Sequence, residues 1–356
     1  MAKVIAGMSG GVDSAVAAYL LKQQGYDVVG VTLRTWLSET GEEGRCCEID
    51  DAREIALKLG IPFYPLNCID EFKKSVIDPF ITCYLKGRTP NPCIECNRFV
   101  KWERLLYYTK VLKTDYVATG HYASVVKKDN GRYTVKKAVH QEKDQTYMLY
   151  KLTQEQLSKT LMPLGSFSKS EVRKIAAEAG IHVAEKPDSQ EICFVPDGDY
   201  ASYIRKMCTD EKICEGDFVD EQGRVIGRHK GIIHYTVGQR KGLGLPLGYP
   251  AYVKSIDPVK NQVIISEEEA LFSNEVICNE LNFLSIPGIE KGETIKCRAK
   301  IRYHHKAQEA ILIRIDDENI KIIFESPVKA ATPGQSAVFY DDDDCVIGGG
   351  IISAQL

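Results

Sequence analysis

Short apolar runs separated by amphipathic stretches set the rhythm of the first two hundred residues. "KVIAG" (3–7) and "DVVGVTL" (27–33) are apolar runs of the length expected of buried strands. "SAVAAYLLKQQG" (14–25) predicts a helix ended by Gly25, and "DDAREIALKLG" (50–60) another stopped by Gly60. In the second of these, Ile55, Ala56 and Leu59 fall on one face. "IPFYPLN" (61–67) and "DYVATGH" (115–121) continue the strand series. "SKSEVRKIAAEAG" (168–180) carries a capping box, Ser168 with Glu171, ahead of a helix ending at Gly180. Strands alternating with helices predict an α/β fold with a parallel sheet covered on both faces, here over residues 1–205.

Beyond residue 205 the period shortens. "GDFVDEQGRVIGRH" (216–229) reads as a hairpin with Gln222-Gly223 at its turn, and residues 228–250 are rich in glycine and basic side chains. Alternating runs then dominate: "TIKCRAKIRY", "AILIRI", "IKIIF", "SAVFY" and "CVIGGGII", broken by Gly, Pro and Asp. They predict a small β-rich central domain at 206–272 and a C-terminal β-barrel at 273–356.

Composition narrows the class without naming it. With 44% hydrophobic and 27% charged residues the 356-residue chain is ordinary for a soluble globular protein and long enough for two or three domains. The start, "MAKVIAGMSGG", lacks the basic, then apolar, build of a signal peptide, and no apolar stretch approaches the ~20 residues of a membrane span. The expectation is a cytoplasmic protein with no membrane partner, whose twelve cysteines stay reduced. A net charge of −3 argues against indiscriminate nucleic-acid binding, yet the charge is uneven. Arg224 to Lys254 holds six Lys/Arg and no acid, and Lys296 to Lys306 five and none. Such patches suit a phosphate backbone met at defined places, or they are simply solvated strand faces.

"GMSGGVDSA" (7–15) follows the first strand and opens the first helix. Gly10 and Gly11 let the backbone approach an anion, amides at the helix start point toward it, and Ser9 and Ser14 add hydroxyls. Asp13 is placed to hold Mg2+ against phosphates. Neither GxxxxGK[ST] nor a GxGxxG after a strand is present. The order S-G-G-x-D-S resembles the PP-loop of the ATP pyrophosphatase superfamily. That resemblance implies ATP cleavage between the α and β phosphates and adenylation of a carbonyl oxygen, with "ATGHYA" (118–123) over the adenine side.

In "RTPNPCIECNRFVKW" (88–102), Cys93 and Cys96 read as a loop ahead of a helix beginning near Phe99. A thiol near a helix start, with Arg88, Arg98 and Lys101 in reach, has a lowered expected pKa. Cys193, in "KPDSQEICFVP", is a third candidate thiol. A zinc ribbon needs a second CxxC, and adjacent Cys46 and Cys47 are poor partners. Two chemical readings remain. Either Cys193 carries a persulfide and Cys96 attacks it or an activated base, or Cys93, Cys96 and Cys193 ligate a [4Fe–4S] cluster whose fourth iron binds the sulfur.

Taken in order, "GMSGGVDS", "RTPNPCIECNRFVKW", "ATGHYA", "KDQTYML", "KPDSQEICFV", "HYTVGQRKGLG" and "PGQSAVFY" resemble the bacterial tRNA-specific 2-thiouridylases, the MnmA/TrmU family, over nearly the whole chain. The resemblance implies a Rossmann-like (adenine nucleotide alpha hydrolase) PP-loop domain. It also implies ATP-dependent replacement of O2 of the wobble uridine by sulfur in tRNAs for lysine, glutamate and glutamine. The sulfur would come from a cysteine desulfurase, directly or through a relay protein. By the same resemblance Gly7, Met8, Ser9, Gly10, Gly11, Val12, Asp13, Ser14, Leu33 and Gly120 line the ATP site. Cys96 is the nucleophile and Cys193 the persulfide carrier, and Asn91, Pro92 and Cys93 meet the target base. His121, Lys143, Asp144, Gln145, Arg302, Tyr303 and Gln335 contact tRNA. Many members have Asp where this chain has Cys93, which raises the cluster reading to stand level with the two-cysteine persulfide scheme. The rivals are a PP-loop ligase for a small molecule, of the argininosuccinate synthase or NAD synthetase kind, and an RNA-binding protein without catalysis. The first needs neither the three thiols nor the basic β region, and the second does not need an intact S-G-G-V-D-S.

Overall fold

The computed structural model describes residues 1–37, 48–185, 192–195, 197–208 and 213–355. Cys46, Cys47 and the whole of "KPDSQE" (186–191) lie outside these. The chain divides into two compact units, neither continuous in sequence. The first comprises Met1–Ile77, Pro92–Gly198 and Asp343–Ile347, and the second Asp78–Asn91, Asp199–Asp342 and Gly348–Leu356.

The first unit is built on a parallel sheet. Its strands are β1 (Lys3–Gly7), β2 (Asp27–Arg34), β3 (Phe63–Asn67), β4 (Tyr116–Ala118) and the later β7 (Thr160–Leu161), in the order β3-β2-β1-β4-β7. Every neighbouring pair is parallel, as the alternation of strand and helix patterns predicts. Helix α1 (Val12–Gln23) and helix α2 (Ile49–Leu59) bury Val16, Leu21, Ile55 and Leu59 in one core with Val4 and Val28. Each fully buried aliphatic chain of this kind contributes roughly 1.5–3 kcal/mol. Gly60 ends α2 in the left-handed conformation. The helix Lys169–Glu178 joins this core through Val172 and Ala176, and its capping box is present on both sides. The antiparallel pair β5 (Ala123–Lys127) and β6 (Tyr133–Lys137) has no counterpart in the sequence reading. Its residues alternate only weakly, and Thr134 is fixed by donating to the carbonyl of Val346.

Because β2 and β3 lie to one side of β1 and β4 to the other, the strand order reverses between β1 and β4. A crevice at the carboxyl ends of the strands opens at such a point. The loop after β1 and Thr119-Gly120 after β4 flank it.

The second unit holds two all-β assemblies. A four-stranded sheet runs β10-β11-β8-β9, made of β8 (Gly216–Val219), β9 (Val225–His229), β10 (Tyr252–Asp257) and β11 (Gln262–Ser266). The β8–β9 pair is the predicted hairpin, while β8 and β11 pair in parallel. Six further strands close into a barrel in the order β12-β15-β14-β13-β16-β17. They are β12 (Phe272–Phe283), β13 (Thr294–Lys300), β14 (Gln308–Arg314), β15 (Ile320–Lys329), β16 (Ser336–Tyr340) and β17 (Val346–Gln355). Closure removes the exposed edges that such alternating strands would otherwise present. Arg302 and Tyr303, expected on a strand, follow the end of β13 in a turn. No helix among the described residues is long and apolar enough to cross a membrane.

Candidate functional site

The loop after β1 is fixed by bonds to β2 and by the Ser14 hydroxyl. Met8 donates its amide to Val31 and its carbonyl accepts from Thr32 Oγ1 at 2.6 Å, fixing the exit from the sheet. Ser14 Oγ accepts from the Ser9 amide at 3.1 Å and donates to the Gly11 carbonyl at 3.0 Å. Gly10 adopts φ +80°, and a Cβ there would lie 2.7 Å from the carbonyl oxygen of Glu48. Gly120 closes the crevice from β4, where an added Cβ would stand 2.7 Å from both Asp13 C and Ser14 N. Leu33 lies half-buried near the carboxyl end of β2. The predicted nucleotide residues thus gather at the strand-order reversal, with the amino end of α1 facing the loop.

Asp13 is engaged within this loop. Its two carboxylate oxygens accept from Lys169 Nζ at 2.7 and 2.8 Å, and Oδ1 also accepts from the Tyr122 hydroxyl at 2.7 Å. As an exposed-side carboxylate beside a phosphate loop it fits one ligand position for Mg2+, provided the lysine yields. Sequence reading missed Lys169 because it looks like an ordinary first-turn residue after a capping serine.

The cysteine pair sits in a helix, not in a loop ahead of one. Pro92–Glu95 forms an α-turn, Cys96–Lys101 a π-turn, and Trp102–Leu112 a regular helix. Pro92 stands at the first helical position, which needs no amide. Cys93 is exposed in the first turn and Cys96 half-buried where the π-turn begins. Glu95, between them, pairs with Lys151 at 2.7 Å. Asn97 is buried, its amide donating to the Met148 carbonyl at 3.0 Å while its Oδ1 has no partner. Trp102 is fully buried and donates Nε1 to Thr160 Oγ1 at 2.7 Å. Cys193 is half-buried, and the next residue, Phe194, packs edge-on against Phe72 at 5.7 Å. Among the described residues no three His, Cys, Asp or Glu side chains lie close enough to hold a metal ion. The three thiols as placed therefore do not fit a cluster.

A family model described as "tRNA methyl transferase HUP domain" matches residues 2–197, more than half of the chain. Models described as "tRNA methyl transferase PRC-barrel domain" and "Aminomethyltransferase beta-barrel domain" match 202–267 and 273–352. The tRNA-specific 2-thiouridylase MnmA of Lachnoclostridium phytofermentans is 53% identical over 359 residues, covering 99% of both chains. That of Acetivibrio thermocellus is 53% identical over 358 residues, 98% of this chain and 99% of the relative. This chain belongs to the tRNA-specific 2-thiouridylase family. A U34-tRNA thiolase from Methanococcus maripaludis is a more distant likeness, at TM-score 0.36 and 20% identity over 58% of this chain and 67% of that one.

The remaining residues expected from the 2-thiouridylase resemblance fall into two groups. In the first unit, His121 Nδ1 meets Thr119 Oγ1 at 2.8 Å and its ring lies 5.4 Å from Trp102. Burial lowers the His121 pKa to about 3, with the Lys101 charge adding to the effect. Lys143 ends one short 3-10 turn (Gln141–Lys143), and Asp144 and Gln145 link it to the next (Thr146–Leu149). Asp144 is buried and accepts from Thr146 Oγ1 at 2.7 Å and the Ala138 amide at 3.2 Å, while Gln145 Oε1 accepts from the Tyr122 amide at 2.9 Å. In the second unit Gln335 Nε2 donates to the carbonyls of Thr89 and Pro90 at 2.8 and 3.1 Å, just before half-buried Asn91. Arg302 donates to the Ala330 carbonyl and to Thr332 Oγ1 at 2.8 Å. Tyr303 packs on the edge of His304 at 4.8 Å, with Lys300 Nζ 5.3 Å from its ring centre. Asp144, Gln145, Arg302 and Gln335 each bond to backbone amides or carbonyls, a duty that spacing in sequence does not reveal.

Proposed function

We propose that this protein is an ATP-dependent tRNA-uridine 2-sulfurtransferase, acting on the wobble uridine of tRNAs for lysine, glutamate and glutamine in the cytoplasm. Membership of the 2-thiouridylase family carries this reading, and a phosphate loop sealed by Gly120 supports its ATP-using half. Gly7 to Ser14, Leu33 and Gly120 bind ATP, with Asp13 as a ligand for Mg2+ that accompanies the triphosphate. Uridine O2 attacks the α-phosphorus, pyrophosphate leaves, and the carbonyl oxygen becomes part of a good leaving group, AMP. Cys193, having taken sulfur as a persulfide from a cysteine desulfurase or relay protein, attacks C2 through the outer sulfur and displaces AMP. The Cys96 thiolate then attacks the Cys193 sulfur, so that the S–S bond breaks with its electron pair left on the C2-bound sulfur. A Cys96–Cys193 disulfide forms, and a thiol reductant resets the pair. Asn91, Pro92 and Cys93 meet the extruded base, which offers a polar edge and a ring face. His121, Lys143, Asp144, Gln145, Arg302, Tyr303 and Gln335 meet the tRNA.

The test is thiolation of an unmodified tRNA transcript with ATP and a persulfide donor, by protein purified without air and analysed for iron and acid-labile sulfide. Wild type should form 2-thiouridine and AMP, and Cys96→Ser and Cys193→Ser should lose thiolation while keeping tRNA binding. About four irons per chain, with turnover on inorganic sulfide, would replace the persulfide route by cluster-bound sulfur. A loss of tRNA binding in both serine variants would sink the catalytic assignment.

A further inference from the structure

Around Asp13 the first turns of two helices converge. Asp13 occupies the first turn of α1, and Lys169 is the first residue of the helix Lys169–Glu178. Each helix start carries a partial positive charge of roughly half a unit, and the Lys169 ammonium adds a full one. The carboxylate of Asp13 is the anion that meets them, with both oxygens on Lys169 Nζ and one on the Tyr122 hydroxyl. The lysine side chain is only 14% exposed, so solvent screens it weakly. Its backbone is pinned by the capping box, Ser168 accepting from the Glu171 amide at 3.2 Å and donating its own amide to Glu171 Oε2 at 2.7 Å. The geometry is that of an anion site whose internal carboxylate neutralises only part of the positive charge.

We propose that Lys169 is a catalytic residue for cleavage of ATP, a role that rests on the ATP-dependent reading above. Without nucleotide its ammonium is parked on Asp13. The triphosphate, carrying several charges to the single one of Asp13, draws the ammonium to its β and γ phosphates. As uridine O2 forms its bond to the α-phosphorus, the bond from that phosphorus to the αβ bridging oxygen breaks. The electron pair stays on the bridging oxygen, and Lys169 stabilises the charge that gathers there as pyrophosphate leaves. No oxidant or reductant is involved. A preorganised cation aimed at developing charge is the kind of group whose loss costs about 10²–10³ in rate.

The experiment compares full-length wild type, Lys169→Gln, Lys169→Ala and Lys169→Arg in single-turnover pyrophosphate release from ATP with unmodified tRNA. ATP affinity and thermal midpoint are measured on the same samples. Lys169→Gln and Lys169→Ala should release pyrophosphate about 100-fold more slowly or worse, with ATP affinity within about tenfold of wild type. Lys169→Arg should keep a larger share of the rate, and added methylamine should restore Lys169→Ala in proportion to its concentration. Release by Lys169→Gln within about threefold of wild type would overturn the proposal. So would a defect confined to ATP affinity or thermal midpoint, with no rescue by amine. Failure of wild type itself to release pyrophosphate would instead overturn the ATP-dependent reading.

Discussion

Replacing Gly120 by alanine tests the architecture of the nucleotide site with one methyl group. The added Cβ would lie 2.7 Å from Asp13 C and Ser14 N and 2.9 Å from Asp13 O. Unstrained carbon contacts lie at about 3.5–4.0 Å, so the overlap is close to 1 Å. The opposing atoms are backbone in the first turn of α1 and cannot rotate aside. Overpacking of this kind costs typically 1–3 kcal/mol. If the fold absorbs about 2 kcal/mol, the thermal midpoint falls by roughly 4–8 °C. If the loop moves instead, ATP affinity falls by about 30-fold for the same energy. The assay is a titration with ATP beside thermal unfolding, run on Gly120→Ala and on Gly288→Ala as control. Gly288 has no atom within 4 Å of an added Cβ, so its alanine should leave both readouts near wild type. Wild-type ATP affinity together with a wild-type midpoint in Gly120→Ala would refute the close approach of β4 to the phosphate loop.

Three other perturbations probe the rest of the site. His121 is held neutral in the folded chain, its pKa lowered to about 3 by burial and Lys101, whereas the unfolded chain takes up its proton near 6.5. The unfolded state then binds more protons, so this stabilisation is complete above about pH 6.5 and is lost as pH falls toward 3. His121→Gln should flatten the fall of the urea midpoint between about pH 7 and 5, and an unchanged slope would contradict the assignment. Arg302→Ala should weaken tRNA binding and lower the salt slope by about one counterion. A lower thermal midpoint with the salt slope unchanged would leave Arg302 only its bonds to Ala330 and Thr332. Gln335→Ala strips a donor from Thr89 and Pro90 and should cost about 1–2 kcal/mol in unfolding free energy, read from urea midpoints; no change would mean that water takes over both carbonyls.

Legibility in the sequence followed physical locality. Strands β1 to β4 of the parallel sheet, α1, α2 and the capped helix at Lys169–Glu178 were readable because period, cap and stop signals agree within a dozen residues, whereas the two-residue β7 carries no such signal. The phosphate loop was readable because glycines, serines and the helix start are adjacent in sequence. The ion pair of Asp13 with Lys169 was not, because its partners stand 156 residues apart and only the fold joins them. The β5–β6 hairpin escaped for the same reason, since Lys137 pairs with Asp344 and Thr134 with Val346 more than two hundred residues away.

The cysteine segment shows how a local rule misleads when helix type changes. The sequence reading puts Cys93 and Cys96 in a loop ahead of a helix beginning near Phe99, yet the helical turns begin at Pro92 and pass through a π-turn. At three residues apart in a helical turn, Cys93 and Cys96 share one face, which neither a loop nor a strand would ensure. The π-turn then accommodates an extra residue between Cys96 and Trp102, a tryptophan locked by burial and by its bond to Thr160. One inserted residue turns the preceding segment by about 100° relative to such an anchor. The facing direction of the thiol pair is therefore set by the anchor and the insertion together. Wide turns of this kind persist mostly where function offsets their cost. The buried, unpartnered Oδ1 of Asn97, next to Cys96, is a second departure from good packing in that one turn. Both departures lie beside the thiol that the sulfur-transfer reading makes the nucleophile.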